Sequence, residues 1–81
     1  MAKYPTKCVE DLVNAYKNGK THLKRGNHRL EVKDGVAYFY YWQTAVCIVA
    51  PGERVRYDDG GYTTSPSTKW TIRSYQYFFG E

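Results

Sequence analysis

The sequence predicts a two-layer α+β domain: an N-terminal helix, a four- or five-strand antiparallel meander and a C-terminal helix, with both helices on one sheet face. Three observations lead there. Apolar residues near the N-terminus repeat at helical spacing, those from Thr21 to Tyr57 repeat at period two between turn signals, and Ser65-Pro66 opens a second helical stretch. With 81 residues the chain builds one modest core, so residues 1–81 read as a single domain. That length excludes a two-domain enzyme, a TIM barrel or a full Rossmann sheet. A composition 42% hydrophobic and 25% charged, with 3 Pro, is globular rather than disordered.

In the first helix Val9, Leu12, Val13 and Tyr16 fall at i, i+3, i+4 and i+7, one apolar stripe. Glu10 and Asp11 lie in its early turns, Lys17 in its last, and Gly19 follows as a stop. The meander is punctuated by Gly26-Asn27, Asp34-Gly35, Gln43-Thr44 and Pro51-Gly52. Asp-Gly between alternating segments is a strong hairpin signal, whereas neither Gln43 nor Thr44 is a natural primed-turn former. Those turns set a register. Val32 should lie opposite Ala37, Leu30 opposite Phe39, Tyr41 opposite Val46, Phe39 opposite Ile48, Ile48 opposite Val55 and Val46 opposite Tyr57. One face then collects Leu23, Leu30, Val32, Ala37, Phe39, Tyr41, Val46, Ile48, Val55 and Tyr57 as core. After a polar loop, Ser65 caps the second helix and Pro66 stands where a missing N–H costs nothing. Thr68, Ile72, Tyr75 and Phe79 should pack on the sheet, with Trp70, Ser74 and Tyr77 pointing away.

The same register gives the other face Arg29, Glu31, Tyr38, Tyr40, Trp42, Cys47, Val49, Arg54 and Arg56. Both helices are committed to the first face, so nothing remains to cover this one. The aromatic content of 17%, mostly 9 Tyr, agrees with rings that face outward. Tyr and Trp beside Arg have the chemistry of a surface that stacks bases and meets phosphates. The same residue types serve as cross-strand pairs on a half-solvated sheet, or as hot spots against a protein partner or in a homodimer. Charge adds to the picture. The net charge is +4, and Lys17, Lys20, Lys24, Arg25 and Arg29 form a run without an acid. Arg25 pairs with His28 and Lys24 with Arg29 at the hairpin tip, where like charges destabilise the pairing unless solvent or a phosphate offsets them. His22 should face Glu31 as a surface contact.

Catalytic signatures are missing. The eight acids are scattered. Asp58-Asp59-Gly60-Gly61 lacks the later acidic ligands of a calcium loop, and no Gly-Lys-Ser/Thr follows to make a phosphate loop. Thr63, Thr64, Ser65, Ser67 and Thr68 suit helix capping and anion holding alike. Gly35 to Tyr41 loosely echoes the central strand of an RNA-recognition motif, but Asp34 replaces the basic residue, Val36 the first aromatic, and the element order is wrong. Cys8 and Cys47 have no CxxC spacing and read as reduced thiols, and His22 and His28 do not make a zinc site with them. The longest apolar run, Ala45 to Ala50, is too short to span a bilayer, and no signal peptide follows Lys3 and Lys7.

Asp59-Gly60-Gly61-Tyr62-Thr63-Thr64, then Ser67-Thr68-Lys69, Ile72 and Tyr75, resemble a class of small phage and prophage proteins. In these an Asn/Asp-Gly-Gly-aromatic turn precedes a Thr-rich start to a C-terminal helix carrying a basic residue and an Ile. The resemblance covers the last half of the chain, and the chain departs from it at Trp70 and Arg73. It implies a small accessory protein made inside a bacterium that acts by binding, with no catalytic residues to carry over. The sequence-level expectation is therefore a cytoplasmic, non-enzymatic, cofactor-free binding protein without membrane attachment. It would contact nucleic acid or a nucleoprotein through Arg29, Tyr38, Tyr40, Trp42, Arg54 and Arg56, with Lys20, Lys24 and Arg25 on phosphates. The alternative is a phage inhibitor of a host protein machine, of the anti-CRISPR or other anti-defence kind, or a homodimer. Such a protein would use those aromatics, or Trp70, Arg73 and Tyr77, as its contact surface.

Overall fold

A computed structural model describes residues 7–61 and 66–80. The element order is α1 (Lys7–Lys17), β1 (His22–Arg25), β2 (His28–Lys33), β3 (Val36–Tyr41), β4 (Thr44–Val49), β5 (Arg56–Tyr57) and α2 (Pro66–Phe79). The strands form one antiparallel sheet in sequence order. Both helices contact the sheet, α1 at β1 and β2 and α2 at β4, and they also touch each other. This is the expected two-layer α+β architecture.

Local chemistry explains the boundaries. α1 ends in a Schellman arrangement: Lys20 N–H donates to the Ala15 carbonyl (2.9 Å), Gly19 N–H to that of Tyr16 (3.1 Å), and Gly19 has φ +84. The β2–β3 turn has Asp34 at φ 53 and Gly35 at φ +81, the left-handed pair of a type I′ hairpin whose twist matches the strands. The Ser65 cap lies outside the described residues. Within the loop before α2, Asp58 Oδ1 accepts from Gly60 N–H and Asp59 Oδ1 from Gly61 N–H, each at 2.9 Å. These acids thus act as turn formers.

The core joins both layers. Val9, Leu12 and Val13 of α1 and Tyr75 of α2 are buried against Leu30, Ala37, Phe39, Val46 and Cys47 of the sheet. Phe39 is its hub, meeting Tyr75 (centroids 5.0 Å apart), Tyr16 (5.8 Å) and Phe79 (5.9 Å). Burial pushes the Tyr75 phenol well above its usual range, assisted by the Cys47 and Cys8 thiols nearby.

Two registers differ from the sequence reading. The β3–β4 turn is Trp42–Gln43, not Gln43-Thr44, so Tyr41 lies opposite Thr44. A bulge then places Val46 and Cys47 together against Phe39, with both side chains fully buried. Cys47 and Val49 therefore belong to the core side rather than the open face, and Ile48, opposite Tyr38, belongs to the open face. At β5 the pairs are Cys47 with Tyr57 and Ile48 with Arg56, one residue on from the expected Val46–Tyr57 and Ile48–Val55 pairs. On α2, Ser74 points inward rather than away. It is fully buried because its hydroxyl donates to the Trp70 carbonyl (2.9 Å), just as Thr71 donates to that of Ser67 (2.8 Å).

Candidate nucleic-acid interface

Parity along the paired strands sorts the side chains of the uncovered face into two full rows. One runs His22, Glu31, Tyr38, Ile48, Arg56, and the other Lys24, Arg29, Tyr40, Ala45. Lys33 and Val36 begin a third. The two outermost strands carry Lys24 and Arg56, so a cationic edge flanks each side of the face, about 19 Å apart at the usual strand spacing. Charged edges also block edge-to-edge pairing with another sheet.

In the middle, Tyr38 and Tyr40 lie nearly parallel, with centroids 6.4 Å apart and planes 29° apart. The Arg29 guanidinium covers one face of the Tyr40 ring at 4.3 Å, a cation–π contact. Arg29 Nε also lies 2.8 Å from Glu31 Oε2, an ion pair without hydrogen-bond alignment, and Lys33 Nζ is 3.6 Å from Glu31 Oε1. Glu31 is therefore neutralised from both sides. One face of Tyr40 is already occupied, so the flat surfaces that the middle of the face offers a ligand are the Arg29 guanidinium and Tyr38.

The remaining expected site residues separate. Arg25 faces the helix layer rather than solvent phosphate: its Nε is 3.4 Å from Asp11 Oδ2, and Lys7 Nζ is 3.1 Å from Asp11 Oδ1. The hydrogen bond from Lys7, with Arg25 adding to it, holds the Asp11 carboxyl below its usual range. Trp42 is not on the sheet face at all. It occupies the β3–β4 turn with φ 60 and 61% exposure, donating its backbone N–H to the Asn27 carbonyl at 2.8 Å. Arg54 is exposed ahead of β5, off the strand ladder, and Lys20 is exposed between α1 and β1. The other surface has a different makeup. On α2 the Arg73 guanidinium lies 5.7 Å from the Trp70 ring and Tyr77 is 62% exposed.

Sequence reasoning missed Ile48 and Ala45 on the open face. Ala45 shares the parity of Cys47 and Val49 in strict alternation, so the pattern already put it there; Ile48 reaches this face only through the bulge at Val46 and Cys47, which no local residue signal marks. It also missed the amides of Asn27 and Gln43, which line a cleft with Lys24, Arg29 and Trp42. On its far side Trp42 borders a groove of about 360 Å³ against the start of α2, lined by Tyr41, Thr44, Val46 and Thr68 with no charged side chain. Among the described residues no group of three or more His, Cys, Asp or Glu converges, and neither Cys8 nor Cys47 is in a disulfide. No helix among them is long and apolar enough to cross a membrane. No protein-family model, no curated protein and no solved structure matches the chain.

Proposed function

We propose that this is a non-catalytic protein that holds single-stranded nucleic acid along the open face of its sheet. The observation that carries the reading is the composition of that face. Lys24, Arg29, Lys33 and Arg56 surround two tyrosines, and the one carboxylate among them, Glu31, is already matched by Arg29 and Lys33. Cations at both edges take the sugar–phosphate backbone, and Tyr38 with the Arg29 guanidinium gives an unpaired base something flat to lie on. The setting proposed for this binding is the cytoplasm of a bacterium.

The test is fluorescence anisotropy with a labelled single-stranded oligonucleotide at 50 and 200 mM salt. Neutralising about three phosphates predicts an affinity loss of roughly tenfold to twentyfold across that range. Lys24→Ala with Arg56→Ala should weaken binding and flatten the salt dependence. No binding at 50 mM salt rejects the reading. A second reading has its own support in α2, where the Trp70–Arg73 pair and the exposed Tyr77 have hot-spot chemistry. In that reading the protein inhibits a host protein machine, and Tyr77→Ala, not the sheet substitutions, abolishes capture.

A further inference from the structure

Two tight turns meet at one end of the sheet: Gly26–Asn27 between β1 and β2, and Trp42–Gln43 between β3 and β4. The hydrogen bond from Trp42 N–H to the Asn27 carbonyl fastens them together. Between them opens a cleft of about 200 Å³ lined by Lys24, Asn27, Arg29, Trp42 and Gln43. Its walls combine an exposed indole, two primary amides and two cations. An indole stacks flat rings, amides offer a donor and an acceptor side by side, and the cations suit an anion.

Two local choices at this cleft are unfavourable for the free fold. Trp42 is held at φ 60, a left-handed backbone that a bulky residue adopts only under strain and that Gly or Asn takes up with little. Lys24 lies directly opposite Arg29, a like-charge pair that destabilises the β1–β2 hairpin. Among the described residues, Lys24 makes no ion pair. A ligand carrying both a flat ring and a negative charge uses both features at once. Pockets for drug-sized molecules begin at about 300 Å³, so the cleft suits a single ring system.

We infer that this cleft is a subsite for one unpaired nucleotide, its base stacked on Trp42 and its edge read by Asn27 and Gln43, its phosphate held between Lys24 and Arg29. The inference rests on the nucleic-acid reading above, and assigns where on the strand-binding surface a base, rather than backbone, is gripped.

Trp42 is its own reporter once Trp70→Phe removes the other indole. In that background a short single-stranded oligonucleotide should quench the fluorescence saturably, and a fully abasic strand of equal length should not. Trp42→Asn keeps a residue that tolerates the turn geometry. It should lower oligonucleotide affinity about tenfold, to the level of the abasic strand, while Trp42→Tyr retains most of it; thermal melts confirm that each variant is folded. Binding by anisotropy without quenching, or equal affinity in Trp42→Asn and the parent, overturns the subsite and leaves the strand-binding face standing. If neither strand binds, the nucleic-acid reading falls and the subsite falls with it.

Discussion

Gly60 sits at φ +63 with the Thr44 side chain where a β-carbon would go: a Cβ there would lie 2.7 Å from Thr44 Cγ2 and 2.8 Å from its Oγ1. Gly61, at φ +89, has open space around it. Gly60→Ala should therefore destabilise the fold by about 2–3 kcal/mol and Gly61→Ala by about 1, as read by urea denaturation. Adding Thr44→Ala to Gly60→Ala should recover part of the difference, because it removes both nearest atoms. That Asp58 and Asp59 shape a turn was legible from their glycine neighbours, whereas the Thr44 contact depends on where a distant strand lies. His28 gives a second residue-level expectation. It is half-buried beside the Tyr41 ring, with centroids 4.9 Å apart, and desolvation holds its pKa below the usual 6.5. The unfolded chain therefore takes up this proton more readily than the folded one. The stability concerned is complete above pH 6.5 and is lost as the pH falls through the lower folded value. The melting temperature should drop between pH 7 and pH 5, and His28→Gln should remove part of that drop.

At the scale of elements, α1 and the first two hairpins were readable because each carries a local signal that tertiary context does not override. These are the Val9–Leu12–Val13–Tyr16 stripe with its Gly19 stop, the Gly26-Asn27 turn and the Asp34-Gly35 turn, and their pairings stand as expected. β4 was different. Trp42 is a poor left-handed residue, so no propensity marks it as the turn, and a bulge that counts Val46 and Cys47 against one partner breaks strict alternation. Ser74 was misread for a related reason: its polarity is discharged within the helix, which frees the side to be buried. The bulge has a chemical consequence. Alkylation of the native protein should leave Cys47, fully buried, unmodified while the half-buried Cys8 reacts, and denaturant should release the second thiol. Rapid native labelling of Cys47, resolved by mass spectrometry, would put that residue on the open face and refute the bulge.

For the whole molecule, the consequential fact is asymmetry. Both helices cover one side of a five-strand sheet, and the other side carries two cationic edges around a Tyr38–Tyr40–Arg29 cluster. Much of that side was legible as residue types, since Arg29, Tyr38, Tyr40 and Arg56 lie where alternation puts them. Arg25 was not, because its partner Asp11 belongs to a helix that pattern alone cannot dock. The occupation of one Tyr40 face by Arg29 was equally hidden, being a matter of rotamers rather than register. The most direct test of strand binding on this face is a titration of the isotope-labelled protein with a single-stranded oligonucleotide, followed by amide chemical shifts. Strand binding on this face should give saturable shifts on β1–β5 at Lys24, Arg29, Tyr38, Tyr40, Ile48 and Arg56, with the outer side of α2 at Arg73 and Tyr77 unmoved. Shifts confined to α2, or none at all, would contradict it.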